Sequence, residues 1–145
     1  MRIEENHFTL KTTINTPFPE DTILKIRDMA SFYGNIIENE ASHSTSGPKN
    51  RIKMSFDIIE HIDEHTSMNL FFSLIGLHNG ISIVDVSIEG ILRMEIDQSN
   101  KFFYSSFHDF YTEKIYPEIR KRTEHKIKKI GGEIEKKVKA LEQNK

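Results

Sequence analysis

The stretch INTPFPEDTIL, from Ile14 to Leu24, joins two different periodicities, and the fold turns on how it is read. Upstream, Phe8, Leu10, Thr12 and Ile14 alternate with His7, Thr9, Lys11 and Thr13, the period-two pattern of a half-buried strand. Pro17 and Pro19 end that strand, because proline has no N–H for the ladder and restricts the residue before it. Glu20 and Asp21 then stand where the first turn of a helix favours negative charge. Ile23, Ile26, Ala30 and Tyr33 recur at helical spacing, and Gly34 marks the stop. The stretch is a strand-to-helix corner.

Four further strands follow. The polar run ENEASHSTSGPKN ends in a Gly-Pro turn and places an edge strand at about residues 37–45. Ile52, Met54, Phe56 and Ile58 alternate with Lys53, Ser55 and Asp57. A turn at HIDEH leads to Met68, Leu70, Phe72 and Leu74, and LHNG supplies the next hairpin turn. The last strand carries Val84, Val86, Ile88, Leu92, Met94 and Ile96 on one face and Asp85, Ser87, Glu89, Arg93 and Glu95 on the other. Gly90 in its middle implies a bend or a close backbone approach. Alternation of this kind predicts an antiparallel sheet covered on one face.

The cover is the C-terminal segment, where Phe103, Phe107, Tyr111, Ile115, Ile119, Ile127, Ile130, Ile134, Val138 and Leu141 follow a three-or-four spacing. Run without a break from about Asn100 to Glu142 it would exceed about 60 Å at 1.5 Å per residue. That length predicts an interruption at Pro117 or at Gly131-Gly132, or a projecting end. The expected organisation is therefore one domain over residues 1–130 with a basic helical extension over 131–145.

Composition is that of a single domain of 145 residues, 37% hydrophobic and 29% charged, enough to bury a core without staples. There is no cysteine, which excludes disulfides and thiolate chemistry and agrees with a cytoplasmic location. No apolar run reaches the roughly 20 residues of a membrane span, and the polar, acidic start MRIEENHFTL does not read as a signal peptide. Charge is unevenly placed. From Glu118 to Lys145 there are ten Lys and Arg against five Asp and Glu, an excess of +5, so with a net charge of −2 the remainder carries −7. Such a basic end attracts anionic partners or simply solvates a helix face.

The order strand, helix, four strands, long helix, with INTPFPEDTILKI at the first corner, resembles the START-related, pollen-allergen-like superfamily, the helix-grip or SRPBCC group, in a short five-stranded form. The same plan is similar to the TATA-binding repeat. The resemblance implies an α+β fold in which a curved antiparallel sheet grips the long C-terminal helix. It also implies a cavity between them for an apolar, lipid-like molecule. The residues that would line it are Phe56, Leu70, Phe72, Val86, Ile88, Leu92, Phe107 and Tyr111, the same ones that would fill a solid core. Tyr111 stands out because a buried hydroxyl needs a partner.

Catalytic signatures are weak. EHIDEH has metal-like composition, but His61 and His65 lie in a turn between strands, where that spacing does not converge them, and the order lacks the H-E-x-x-H of a metalloprotease. His108 and Asp109 point roughly 100° apart on a helix, and His43 sits on a polar edge strand. No cofactor motif occurs. The leading expectation is a non-enzymatic binding protein or carrier for a hydrophobic small molecule, with no cofactor and no metal. The alternatives are a nucleic-acid-binding or scaffold protein using the basic helix, and a cyclase-like enzyme in the same cavity. A mixed or acidic sheet face (Asp57, Asp85, Glu89, Glu95) argues against the nucleic-acid reading, because a sheet that binds DNA should be basic, so nucleic acid is not the expected partner. An amphipathic C-terminal helix also allows a homodimer.

Overall fold

The corner forms as its two periodicities require. Strand β1 (Arg2–Asn15) runs into α1 (Pro19–Ser31), with Pro19 in the first helical turn and Glu20 and Asp21 behind it. No side chain of Phe18 caps the helix. Instead Thr16 closes the corner: its hydroxyl oxygen accepts the Phe18 N–H at 3.3 Å and the Thr22 hydroxyl at 2.9 Å. Ile23, Ile26 and Ala30 are buried, and Gly34, at φ +156°, turns the chain away.

The computed structural model describes residues 2–44, 50–79, 81–96 and 109–143. After α1 come β2 (Ile36–Ser44), β3 (Asn50–His61), β4 (Thr66–Asn79) and β5 (Ile81–Glu95), then a π-helical turn (Tyr111–Ile115) that leads into α2 (Tyr116–Gln143). The strands form one curved, unclosed antiparallel sheet in the order β1-β5-β4-β3-β2. The polar strand predicted for an edge is indeed one edge, and β1 is the other. The fold is α+β, with both helices on one face: α2 over β1 and β5, α1 over β3, β4 and β5.

Alternation settles which face. Leu10, Ile14, Phe56, Ile58, Leu70, Phe72, Val86, Ile88 and Leu92 all point to the helices and are buried. Lys53, Asp57, Asp85, Glu89 and Arg93 point the other way and are half-exposed among their cross-strand neighbours. Phe56 and Phe72, paired across β3 and β4, stack with centroids 4.7 Å apart.

Among the described residues, three irregularities change phase without changing the plan. One is a one-residue slip between Glu38 and Glu40 on edge strand β2; the other two lie where β1 meets α2. Between Asn6 and Phe8 the β1–β5 register slips by one residue. His7 is the extra residue, and Asn6 Oδ1 holds the bulge by accepting the Phe8 N–H and the Thr9 hydroxyl, each at 3.1 Å. In the helix, the Tyr116 N–H reaches back five residues to the Tyr111 carbonyl. Pro117, which has no N–H to give and whose ring crowds the carbonyl four residues back, follows directly.

Of the places expected for an interruption, the irregularity falls directly before Pro117 and not at Gly131-Gly132; α2 is continuous through both glycines, and Ile134 and Val138 belong to the same core as Ile127. A Cβ on Gly131 would lie 2.5 Å from the Phe8 ring, and one on Gly90 would lie 2.5 Å from Ile127 Cγ2 and 3.2 Å from Phe8 Cβ. Of the two alternatives for Gly90, a close approach is what the structure has. The neighbour at that approach is Ile127, whereas Tyr111 docks at the β3–β4 turn. Gly132 has nothing within 4 Å of its would-be Cβ.

The two glycines therefore separate in a stability measurement. Gly132→Ala is expected to stabilise by about 0.5–1 kcal/mol through helix propensity. Gly131→Ala is expected to destabilise by about 1–3 kcal/mol, because Phe8 must leave its place. Denaturant unfolding of the two variants reads both.

Candidate functional site

Among the described residues, polar groups or open space come together at the helix start, at the seam between β1 and α2, and at the first corner. The first is the docking point of the helix start. Asp63, in the turn between β3 and β4, accepts the backbone N–H groups of His65 and Thr66 at 2.7 Å each through Oδ1. The Tyr111 hydroxyl donates to Asp63 Oδ2 at 2.9 Å and lies 2.6 Å from the Thr66 hydroxyl. The His65 ring packs edge-on against Tyr111, centroids 5.2 Å apart. Sequence reading placed HIDEH in a turn but missed that it holds the helix; an Asx-type carboxylate two and three residues before the amides it caps is the signal that was present. His61, at the end of β3, stays exposed.

Tyr111 is thus a satisfied core tyrosine. Burial pushes its phenol up from 10.0 to about 12, and the neighbouring Asp63 carboxylate adds to the rise, while the Thr66 hydrogen bond opposes it. A phenol held protonated in the folded state contributes stability that is complete below pH 10 and lost as pH rises towards 12. Tyr111→Phe is expected to cost about 1–2 kcal/mol at neutral pH. It should also flatten the loss of stability over that alkaline range relative to the parent, as read by chemical denaturation at stepped pH.

The second place is the seam between β1 and α2. Arg120 grips Glu5 with two hydrogen bonds, Nε to Oε1 at 2.7 Å and Nη2 to Oε2 at 3.0 Å. His7, brought inward by the bulge, has Nε2 at 3.5 Å from Glu5 and Nδ1 at 3.8 Å from Glu124. Glu124 in turn meets Lys128 at 2.9 Å. His7 Nε2 and the Tyr116 hydroxyl are buried without a well-aligned hydrogen-bond partner. Tyr116 is held above 10.0, first by burial and then by the Glu5 charge. The Arg120 hydrogen bonds hold the Glu5 carboxyl below its usual 4.5.

A depressed carboxylate stabilises the fold above its unfolded pKa and ceases to as acid protonates it in the folded state. Glu5→Gln is therefore expected to cost roughly 0.5–1 kcal/mol at pH 7, since Arg120 is partly exposed. That difference from the parent should shrink towards zero as pH falls below 4.5. Parallel urea titrations of the two proteins at pH 7 and in mild acid measure it.

The third place is a cleft of about 300 Å³ at the strand-to-helix corner, lined by Pro17, Phe18, Pro19, Glu20, Asp21, Ile52, Gly76 and His78. Phe18 stands at its lip, 66% exposed. A Cβ on Gly76 would come within 3.1 Å of both Ile23 Cδ1 and Pro19 Cβ, so the missing side chain is what lets α1 start so close to β4. His78 is tied through Nδ1 to the Ser82 hydroxyl across the β4–β5 hairpin.

The residues expected to line a cavity are distributed differently. Phe56, Leu70, Phe72, Val86, Ile88 and Leu92 share the helix-covered face of the sheet, Tyr111 packs against it from the helix start, and all seven are buried to 2% exposure or less. Phe107 and His108 lie outside the described residues, Asp109 is exposed at the helix start, and His43 pairs with Ile52 on edge strand β2. None of the seven lines the corner cleft; its residues come from the β1–α1 corner, β3 and β4, three segments that no local motif connects. No protein-family model matches the chain, and a search of curated proteins gives no match.

Proposed function

We propose that the protein binds a hydrophobic small molecule, and that the ligand enters at the cleft between the start of α1 and the ends of β3 and β4. The observation that carries this reading is the cleft's construction: Pro17, Phe18, Pro19 and Ile52 supply an apolar lining, and Glu20, Asp21 and His78 supply polar groups beside it. Ligand sites are commonly of this kind, largely apolar with few polar groups that orient the guest. At about 300 Å³ the cleft is at the small end of the usual range of about 300–1,000 Å³, which suits a compact aromatic guest or a short chain. Two carboxylates beside it favour a guest whose polar end is an amine or a hydroxyl over one with an acid.

In this reading the buried concave-face residues from Phe56 to Leu92 form the wall behind the site. A longer, lipid-like ligand would need α1 to move off Gly76, because Ile23 and Pro19 are already in close contact there. The resemblance to helix-grip proteins supports the same class of guest. Carriage rather than catalysis fits the cleft, whose one histidine has a ring nitrogen engaged by Ser82.

The neutral amine probe N-phenyl-1-naphthylamine is expected to bind with one-to-one stoichiometry, with its fluorescence enhanced. Ile52→Trp, which fills the cleft from its apolar side, should abolish that enhancement while shifting Tm by only a few degrees. A parent protein that does not bind the probe, or an Ile52→Trp variant that binds it as well as the parent, would overturn the proposal.

A further inference from the structure

The outward side of α2 is a ridge of positive charge. With about 100° per residue, the buried residues Tyr116, Ile119, Thr123, Ile127, Ile134 and Val138 fix the inward side. Beyond Glu118, which faces the same way at the helix start, the opposite sector carries Lys121, Arg122, His125, Lys128, Lys129, Lys136 and Lys139, all exposed. From Lys121 to Lys139 this ridge spans about 27 Å at 1.5 Å per residue. Lys128 and Lys139 are paired with Glu124 and Glu135 one turn back. Lys121, Arg122, Lys129 and Lys136 make no ion pair among the described residues.

We propose that this ridge is a docking surface for the phosphate backbone of duplex nucleic acid. Charge complementarity is the argument, and three features narrow the partner. The cations repeat along a straight, anchored helix, which matches a partner whose charge also repeats along an axis; about 27 Å is some eight base pairs at 3.4 Å each. Six of the seven basic residues are point charges or imidazole, with Arg122 the one planar fork, so the surface suits phosphates more than base edges, and recognition should be independent of sequence. An anionic membrane is the poorer fit, since an interfacial helix inserts an apolar face and that face of α2 is buried against β1 and β5.

The outer face of the sheet does not oppose this docking. It is turned away from both helices, and its acids Glu4, Asp57, Asp85 and Glu89 are interspersed with the cations Lys11, Lys53 and Arg93. The ridge and the corner cleft share no residue, so the ligand proposal and this one stand or fall separately.

The test is fluorescence anisotropy with a labelled mixed-sequence duplex of about 20 base pairs, titrated at several salt concentrations. With about four unpaired cations engaged, log K should fall against log salt with a slope of about −3 to −4, a loss of roughly 30- to 80-fold between about 0.05 and 0.15 M. The quadruple variant Lys121→Gln, Arg122→Gln, Lys129→Gln, Lys136→Gln should lose at least about tenfold at the lower salt and most of the slope. A control with the same change in net charge, Lys11→Gln, Lys25→Gln, Arg51→Gln, Lys114→Gln, should bind within about threefold of the parent. The double variant Lys129→Gln, Lys136→Gln should lose about half the slope, which keeps the test readable if the quadruple variant misfolds. Absence of binding by the parent at about 0.05 M, or equal loss in the control, overturns the proposal. So does ridge-dependent binding to phosphatidylserine vesicles that matches or exceeds binding to the duplex.

Discussion

The crossing of α2 over β1 and β5 sets the rest of the architecture. Phe8 lies between Gly90 of the sheet and Gly131 of the helix, and Ile127 sits directly over Gly90. Both glycines are needed because helix and sheet approach to a distance at which a Cβ on either would overlap a neighbour. Lifting the helix to make room would uncover Leu10, Ile88, Ile134 and Val138, at about 1.5–3 kcal/mol for each large side chain re-exposed. The crossing therefore leaves no room for a guest where it is tightest. Open space lies instead at the corner, where α1 rather than α2 covers the sheet. That displacement moves the ligand reading from the middle of the concave face to Pro17–Asp21, Ile52, Gly76 and His78.

Alternation and proline placement made the sheet and the first corner legible, because burial on one face constrains every second residue and proline removes a ladder donor. Phase changes were not legible. The bulge at His7 and the π turn at Tyr111–Ile115 each add one residue to a regular element, and no residue type announces either. Yet both decide what meets at the seam. The bulge brings His7 and Phe8 to the helix side together, and the five-residue turn lets Tyr111 and Tyr116 both face the sheet, with centroids 6.1 Å apart. Gly131-Gly132 misled for a different reason. A glycine pair costs a helix about 1 kcal/mol per residue, but Ile127, Ile134 and Val138 are fully buried on either side of it. Burial outweighs propensity by several-fold, and the helix continues.

The candidate sites were hidden by a more basic degeneracy. An apolar residue in a packed core and one lining a cleft carry the same sequence signature; only exposure distinguishes Phe56, which has none, from Phe18 at the cleft lip. Polar residues offered a little more. The suspicion that a buried Tyr111 hydroxyl needs a partner was sound, and the partner proved to be the acid of HIDEH and its neighbour Thr66. What composition suggested as a possible metal turn is, physically, a carboxylate that satisfies two backbone amides and one phenol.

Charge on α2 follows from the same anchoring. Because Ile127 over Gly90 fixes the helix's rotation, each charged side chain has a defined direction, and the acids fall mostly on the flanks. Glu124 faces His7, Arg120 and Lys128, Glu133 bonds the Tyr33 hydroxyl at 3.0 Å, and Glu135 meets Lys139. Lys137 leaves the ridge as well, resting over the rings of Phe32 and Tyr33 and tying α2 to the end of α1. Flank charges thus hold the helix to β1 and α1, while Lys121, Arg122, Lys129 and Lys136 make no ion pair among the described residues. A helix that needed charge only for solubility could mix both signs on its outer side, since exposed pairs of opposite sign one turn apart stabilise it slightly. Beyond Glu118 this outer side carries no acid of its own, and only Lys128 and Lys139 gain a partner one turn back, so like-charge repulsion runs along some 27 Å. A polyanion laid along the ridge would relieve that repulsion.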